Sequence, residues 1–499
     1  SIFIISLLFY RNHSLYPSVM GDEYINNIFS KNTNFKDMLI PSYLYFYFYK
    51  ISYVCETSYL NCVRLFNNLF FISGVYMTYL LAKKLSNNNY SKLIFILLLI
   101  SPYNIYTAYF LPESMFYFFI WLTFFLTFYL KINKHYYFII GSFLGFCSLI
   151  KPHAVFFIPI FIIYFFIINK NISDTLLNIS KLIFSFFLIK LILTIFSDVE
   201  FSIFGDYYNK DATRYIDINF FEVLTIFKFF IINLFGVISF LLIIFSLPIL
   251  ILIKNSIIYF KKLRHNKSDN FLVFVLITFI FLLINYSLFS AFSTSYHIQN
   301  VAYETPFRLN IRYYFYIFPL LLIICLNELT IINTQQINTK LIKIFSAIII
   351  LIIIYFSKNF YPSYHLVDGP LYRALTYNNY FFYFSVVFSI MLVFLYNFKR
   401  TISLKIYLLI FLPIIFVISS LPINKEILFH KKPSRSDQIG EYLKEYFHSK
   451  IDENFLIIKI DKNKDLPLDN FKLLMSFDKK NIAITDINNL SISDDDINK

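Results

Sequence analysis

Apolar runs long enough to cross a hydrocarbon core, which takes about 20 residues per helix, recur along the whole of this chain. A chain with many such runs can satisfy its backbone polar groups in a bilayer only by packing as helices or closing a barrel, and runs of this length favour helices. The 499 residues are 58% hydrophobic and only 15% charged, which excludes an ordinary soluble domain. The pattern predicts an all-α polytopic membrane protein with about 13 transmembrane helices. These centre near 1–9, 64–82, 93–110, 114–130, 136–150, 154–169, 180–196, 226–253, 271–290, 312–328, 342–357, 380–397 and 404–421. Re-entrant segments around Pro102, Pro112 and Pro152 are an alternative reading of the neighbouring runs. The opening run "SIFIISLLFY" is shorter than a span, so the first helix is expected to lack its beginning.

Charge gives the orientation. "AKKLSNNNYSK", "KINKH", "NKNISDTLLNISK", "KNSIIYFKKLRHNKSD", "NTQQINTK" and "NFKRTISLK" alternate with longer loops and hold the dense Lys/Arg clusters. They are expected on the cytoplasmic side, leaving 10–62, 197–225, 291–311, 358–379 and the tail outside. The net charge of +14 then reflects loops facing anionic lipid, and no nucleic-acid partner is expected. Cys55 and Cys62 are seven apart, about 10 Å along a helix, too far for a disulfide, and no CxxC pair or metal-spaced His occurs.

Residues 1–421 form the membrane part and 422–499 a polar tail. In "SRSDQIGEYLKEYF", Ser436 is the expected helix cap, with Ile439, Leu443 and Phe447 four apart. "NFLIIKI", "FKLLMSF" and "NIAITDI" read as strands, so the tail is expected to be a small soluble α/β domain.

Four groups of polar residues reach the same outer face. Asp22 and Glu23 in "GDEYI" precede an aromatic, amphipathic stretch, "IPSYLYFYFYKI", suited to the membrane interface, where a partly desolvated carboxylate can act as a general base. Glu113 follows Pro112 at a span start, where the helix dipole alone also favours an acid. Lys151 and His153 in "IKPHAV" lie between apolar runs, where Lys151 is either a snorkelling interfacial lysine on a tight turn or a cation for a phosphate. Arg308 and Arg312, four apart at another span start, run against the positive-inside trend and offer planar forks for phosphate oxygens, with Glu304 nearby as an ordinary ion partner. His153, His297, Glu304 and Asp368 are possible substrate contacts, His365 and Arg373 are weaker loop candidates, and Lys190 is a lone cation within a span.

An outward site with acids, cations and aromatic surface, and no Gly-rich phosphate loop, suits a lipid-linked phosphate better than a nucleotide. With a polyprenyl-phosphate sugar as donor, Asp22 would take the acceptor proton and Glu23 or Glu113 would orient the acceptor or a sugar hydroxyl. Lys151, Arg308 and Arg312 would stabilise the leaving phosphate. One displacement with one base inverts the anomeric centre.

The order "GDEYI", "PSYLYFYFY", "PES", "IKP" and "RYYFYIFP" resembles the GT-C superfamily of polyprenyl-phosphate-sugar-dependent glycosyltransferases, over about 18–320. Within it the likeness is to the branch of protein O-mannosyltransferases and the aminoarabinose transferase of lipid A. The resemblance implies a multi-helix membrane enzyme with an external site. Its catalytic Asp sits in the first external loop, here Asp22, and its basic phosphate contacts fall on Lys151 and Arg312, then Arg308. Pro41-Ser42 replaces the usual two prolines, and "KP" stands where relatives often have "KG". The acceptor is a lipid, glycan or protein, and a bacterial cytoplasmic membrane is the expected setting. No cofactor is required; a divalent cation, used by some members, would find oxygen ligands in Asp22 and Glu113. The rival readings are a transporter or flippase for lipid-linked glycans, which predicts ionisable groups within several spans, and a non-catalytic membrane subunit.

Overall fold

The computed structural model describes residues 1–18, 20–31, 40–86, 90–133, 135–169, 171–197, 220–262, 267–300, 311–331, 339–359, 369–446, 455–459, 475 and 482–486. In chain order the helices are α1 (Ile2–Asn12), α2 (Met20–Lys31), α3 (Tyr43–Tyr49), α4 (Tyr59–Leu85), α5 (Ser91–Ile100), α6 (Glu113–Tyr129), α7 (Tyr136–Ile150), α8 (Phe157–Ile168) and α9 (Ile172–Ser197). They continue with α10 (Phe220–Lys262), α11 (Lys267–Asn300), α12 (Ile317–Ile331), α13 (Thr339–Asn359), α14 (Pro370–Thr376), α15 (Asn379–Tyr396), α16 (Arg400–Ile406), α17 (Leu412–Phe429) and α18 (Arg435–Tyr446).

Among the described residues six helices are long and apolar enough to cross a membrane: Tyr59–Leu85, Ile172–Phe196, Phe221–Phe260, Asp269–Phe292, Asn379–Tyr396 and Arg400–Phe429. Six further apolar helices have only 10–17 residues. The bundle therefore mixes long and short helices, fewer of them full spans than the roughly 13 that hydropathy suggested. The expected span 93–110 shows why. Its helix stops at Ile100, Pro102 opens a 3-10 turn over Pro102–Thr107, and the chain stays buried without becoming α-helical until Glu113. Hydropathy measures burial, and here a buried stretch is not a helix. In α10 the backbone departs from helical angles at Phe245 (φ −110°, ψ 23°), just ahead of Pro248, whose ring crowds the preceding turn.

The most extensive packing joins α7 to α9, α10 to α11 and α4 to α6. The α7–α9 contact depends on two glycines one turn apart. A Cβ on Gly141 would collide with the Leu182 carbonyl and Ser185 Oγ, and one on Gly145 would come within 2.9 Å of Ile189 Cβ. Small residues four apart let two backbones approach in lipid, where packing rather than the hydrophobic effect drives association. Gly141→Leu is therefore expected to separate the two helices, seen as loss of the monodisperse peak in detergent chromatography, with Gly141→Ala intermediate.

One expectation is corrected at the start of α4. Cys55 and Cys62 form a disulfide with Cα atoms 6.5 Å apart. The spacing argument assumed one continuous helix, but Lys50–Ser58 is a 3-10 stretch broken at Glu56, whose φ of 47° turns the chain before α4 begins. The turn brings Tyr53 and Tyr59 into a stack at 5.0 Å and Cys55 back toward Cys62. Cys147 and Cys325 are free and buried.

The stretch after Pro41 contains the short helix α3, which turns Tyr45, Phe46 and Tyr49 inward and leaves Tyr47 exposed. In the tail, α17 runs on through Pro422 to Phe429, past the expected boundary at Leu421. The cap of α18 is Ser434, not Ser436: Ser434 and Asp437 exchange side-chain to backbone hydrogen bonds of 2.8 and 3.3 Å. Strands β1 (Phe455–Lys459) and β2 (Ile482–Asp486) pair in parallel, Phe455 opposite Ile482. Most of the third expected strand, 471–477, lies outside the described residues.

Candidate active site

The site is built around the buried, non-helical stretch 101–111. Backbone groups of this kind inside a membrane protein need partners from the protein itself. Here they come from three other segments, α1, α2 and α4. Arg11 on α1 donates to the Asn104 carbonyl (2.9 Å) and to Thr107 Oγ1 (3.1 Å), and reaches Asn424 Oδ1 on α17 (3.0 Å). Arg64 on α4 donates to the carbonyls of Ala108 (2.9 Å) and Leu15 (2.5 Å), and Asn67 to that of Tyr109 (2.6 Å). Asn26 on α2 donates to the Phe110 carbonyl at 2.7 Å.

Glu23 completes this frame. It is fully buried and accepts the backbone N–H groups of Ser18 (2.7 Å) and Phe110 (2.8 Å). The expectation that Glu23 orients a substrate hydroxyl meets a different arrangement: the carboxylate ties α2 to the 101–111 stretch. Asp22, one residue earlier, is left on the open side, 45% exposed, where it pairs with Arg312 at 2.9 Å. Of two adjacent acids in one helical turn, one fixes the turn and the other faces outward.

The second acid–base pair is Glu113 with Lys151, 2.8 Å apart. Glu113 occupies the first turn of α6 behind Pro112, as its dipole favours. Lys151 caps α7 in extended conformation, with Pro152 opening the next turn. Both side chains are buried, and Oε2 of Glu113 has no hydrogen-bond partner among the described residues. Burial lowers the pKa of Lys151, Glu113 raises it, and Arg312 lowers it again, so the two pairs sense each other.

The pairs meet at Tyr313. Lys151 Nζ lies 4.4 Å, and Arg312 Cζ 5.0 Å, from the centre of its ring. His153 stacks on the same ring at 4.5 Å with planes 19° apart. The structure thus unites Asp22, Glu113, Lys151, His153 and Arg312 at one end of the bundle. Arg312 sits in a 3-10 turn, Ile311–Tyr313, rather than on an α-helical face. Arg308, Glu304, His365 and Asp368 lie outside the described residues. His297 falls in the last turn of α11, and Arg373 on α14 approaches Glu426 at 3.7 Å. Among the described residues no three metal-type ligands gather.

Lys84 at the end of α4 reaches the Tyr129 carbonyl at the end of α6 (3.1 Å), and Lys254 on α10 pairs with Glu328 on α12, both bonded to Tyr396. This buried pair, like Arg11 and Arg64, escaped the sequence reading. Each is a charged residue beside one or more asparagines in an apolar helix, and the signal that links Arg11 and Arg64 is their common target, the "PYNIYTAYFLPES" stretch.

The sequence model of the dolichyl-phosphate-mannose-protein mannosyltransferase family matches residues 8–221, which include Asp22, Glu23, Glu113 and Lys151. The match covers less than half of the chain, which carries a multi-helix fold with several helices long and apolar enough to cross a membrane. Its fold is similar to that of ArnT from Cupriavidus metallidurans bound to undecaprenyl phosphate, with a TM-score of 0.51 and 11% identity over 97% of this chain and 84% of that one. The apo form of the same ArnT gives 0.49 at 11% identity, over 97% and 85%. An Archaeoglobus fulgidus oligosaccharyltransferase gives 0.45 at 11% identity, over 96% and 63%. No curated protein gives a sequence match.

Proposed function

We propose that this chain transfers a sugar from a polyprenyl-phosphate donor to an acceptor hydroxyl, inverting the anomeric centre, at the bundle end that holds Asp22. The observation that carries the reading is the convergence of two acid–base pairs, Asp22–Arg312 and Glu113–Lys151, on one aromatic ring. Asp22 accepts the acceptor proton as the new bond to the anomeric carbon forms. The bond from that carbon to the phosphate oxygen breaks, and Lys151 and Arg312 stabilise the charge left on the lipid phosphate. Arg312 orients the Asp22 carboxylate before the acceptor arrives. The lipid phosphate is supported by the ArnT structure, which holds undecaprenyl phosphate.

Two features support placing this end outside a bacterial cytoplasmic membrane. The Cys55–Cys62 disulfide adjoins it, and such bonds persist on the oxidising side. The dense Lys/Arg clusters fall in the loops that alternate with the acid-bearing ones along the sequence, which the positive-inside rule assigns to the cytoplasmic side. The tail from 422 onward is then an external domain. Asp22 and Glu113 remain the oxygen ligands a divalent cation would use, but each already has a basic partner, and no step is routed through a metal.

The test uses the purified chain in nanodiscs with a panel of radiolabelled undecaprenyl-phosphate sugars and a membrane-lipid, glycan and peptide acceptor mix. Donor consumption with release of undecaprenyl phosphate, and a product of inverted anomeric configuration by NMR, is the expected result. Donors that remain intact across the panel, with undecaprenyl phosphate itself failing to bind, would overturn the reading.

A further inference from the structure

Two cations from distant parts of the chain share one ring. Besides its contacts with Lys151 and Arg312, Tyr313 accepts a hydrogen bond on its hydroxyl from Arg312 Nη2 at 3.0 Å. The ring is held in a stack, with His153 at 4.5 Å and Tyr286 at 5.8 Å, the latter with planes 12° apart. Tyr286 is fixed in turn by a hydroxyl contact with Tyr316 at 2.6 Å. Like charges this close repel, and a lysine stem has the freedom to swing away. An aromatic face, negative by its quadrupole, is a neutral group that attracts both cations.

We propose that Tyr313 is a positioning residue that holds Lys151 and Arg312 together as one phosphate clamp, acting through the two cations and not through the sugar. The inference rests on the donor reading above. A clamp assembled in advance spares the donor the ordering of two long side chains, so the ring contributes to donor affinity rather than to the bond-making step. It also explains why an aromatic rather than an aliphatic residue lies against the two: an aliphatic side chain fills the space but gives the charges nothing to face.

The experiment measures binding of undecaprenyl phosphate to the full chain in nanodiscs, beside KM and kcat for the sugar donor. Tyr313→Phe keeps the ring and should stay within about threefold of the parent, since the quadrupole rather than the hydroxyl does most of the gathering. Placing phenylalanine with one, two and three ring fluorines at position 313 drains the quadrupole without changing the shape. Affinity is expected to fall stepwise, by about tenfold over the series, with KM following and kcat nearly constant. In a Lys151→Gln background the slope of the series should drop by half or more, as a cycle between coupled residues requires. A flat series, or the same slope with and without Lys151, would overturn the positioning role while leaving the donor reading intact. A parent chain that fails to bind undecaprenyl phosphate would instead bring down the donor reading, and this inference with it.

Discussion

Asp22→Asn should lower kcat for sugar transfer by roughly 10²–10⁴-fold, the usual contribution of a positioned general base. The exchange keeps the size of the side chain and a hydrogen-bonding oxygen for Arg312, which lies 2.9 Å away, so folding and membrane insertion should be unchanged. Glu23, fully buried on the backbone of Ser18 and Phe110, gives the contrast. Glu23→Gln should lower stability first, because its amide nitrogen cannot accept the N–H bond that one carboxylate oxygen accepts now. Transfer rates from the two variants, normalised to correctly folded protein, separate the acids. A kcat for Asp22→Asn within tenfold of the parent would remove Asp22 as the base.

The second large effect belongs to Lys151. Its removal leaves Glu113 buried without its counter-ion, and breaking a buried pair in this way costs about 3–5 kcal/mol. Lys151→Ala should therefore unfold at a lower temperature than the parent and bind undecaprenyl phosphate poorly. The double change Lys151→Met with Glu113→Leu removes both charges and replaces them with apolar volume. Stability should return to within about 1 kcal/mol of the parent, since buried pairs exchanged for hydrophobic groups are commonly neutral or better. Donor affinity should not return. Recovery of binding in the double variant would show that Lys151 serves the fold alone.

Much of this site was legible in the sequence, for a specific reason. Asp22, Glu113, Lys151 and Arg312 are ionisable residues at the borders of apolar runs, and alternating the runs across a membrane places them on one face. What the sequence could not distinguish was the task of each acid. "GDEYI" holds two carboxylates in one turn, and only the position of the Phe110 N–H tells which is taken up by the backbone. Tyr313 lay within the "RYYFYIFP" stretch, but among 41 tyrosines nothing marks the one that faces two cations. The disulfide was missed because helical spacing was extended through Glu56, where the chain turns. The 101–111 stretch was left open between a span and a re-entrant segment because its composition is as apolar as a helix, while its hydrogen bonds come from residues such as Arg11 and Arg64 that are remote in sequence.

That stretch also bears on how the protein is made. Arg11, Glu23, Asn26, Arg64 and Asn67, the side chains that serve its backbone, all precede it in the chain. Ribosomes deliver polypeptide from the amino end, so these donors and acceptors are already lodged in the bilayer when residues 101–111 emerge. A segment that could not sit in oil by itself thus arrives to find its partners waiting. Moving the α1–α4 region behind it by circular permutation should reverse that order and penalise biogenesis more than the finished molecule.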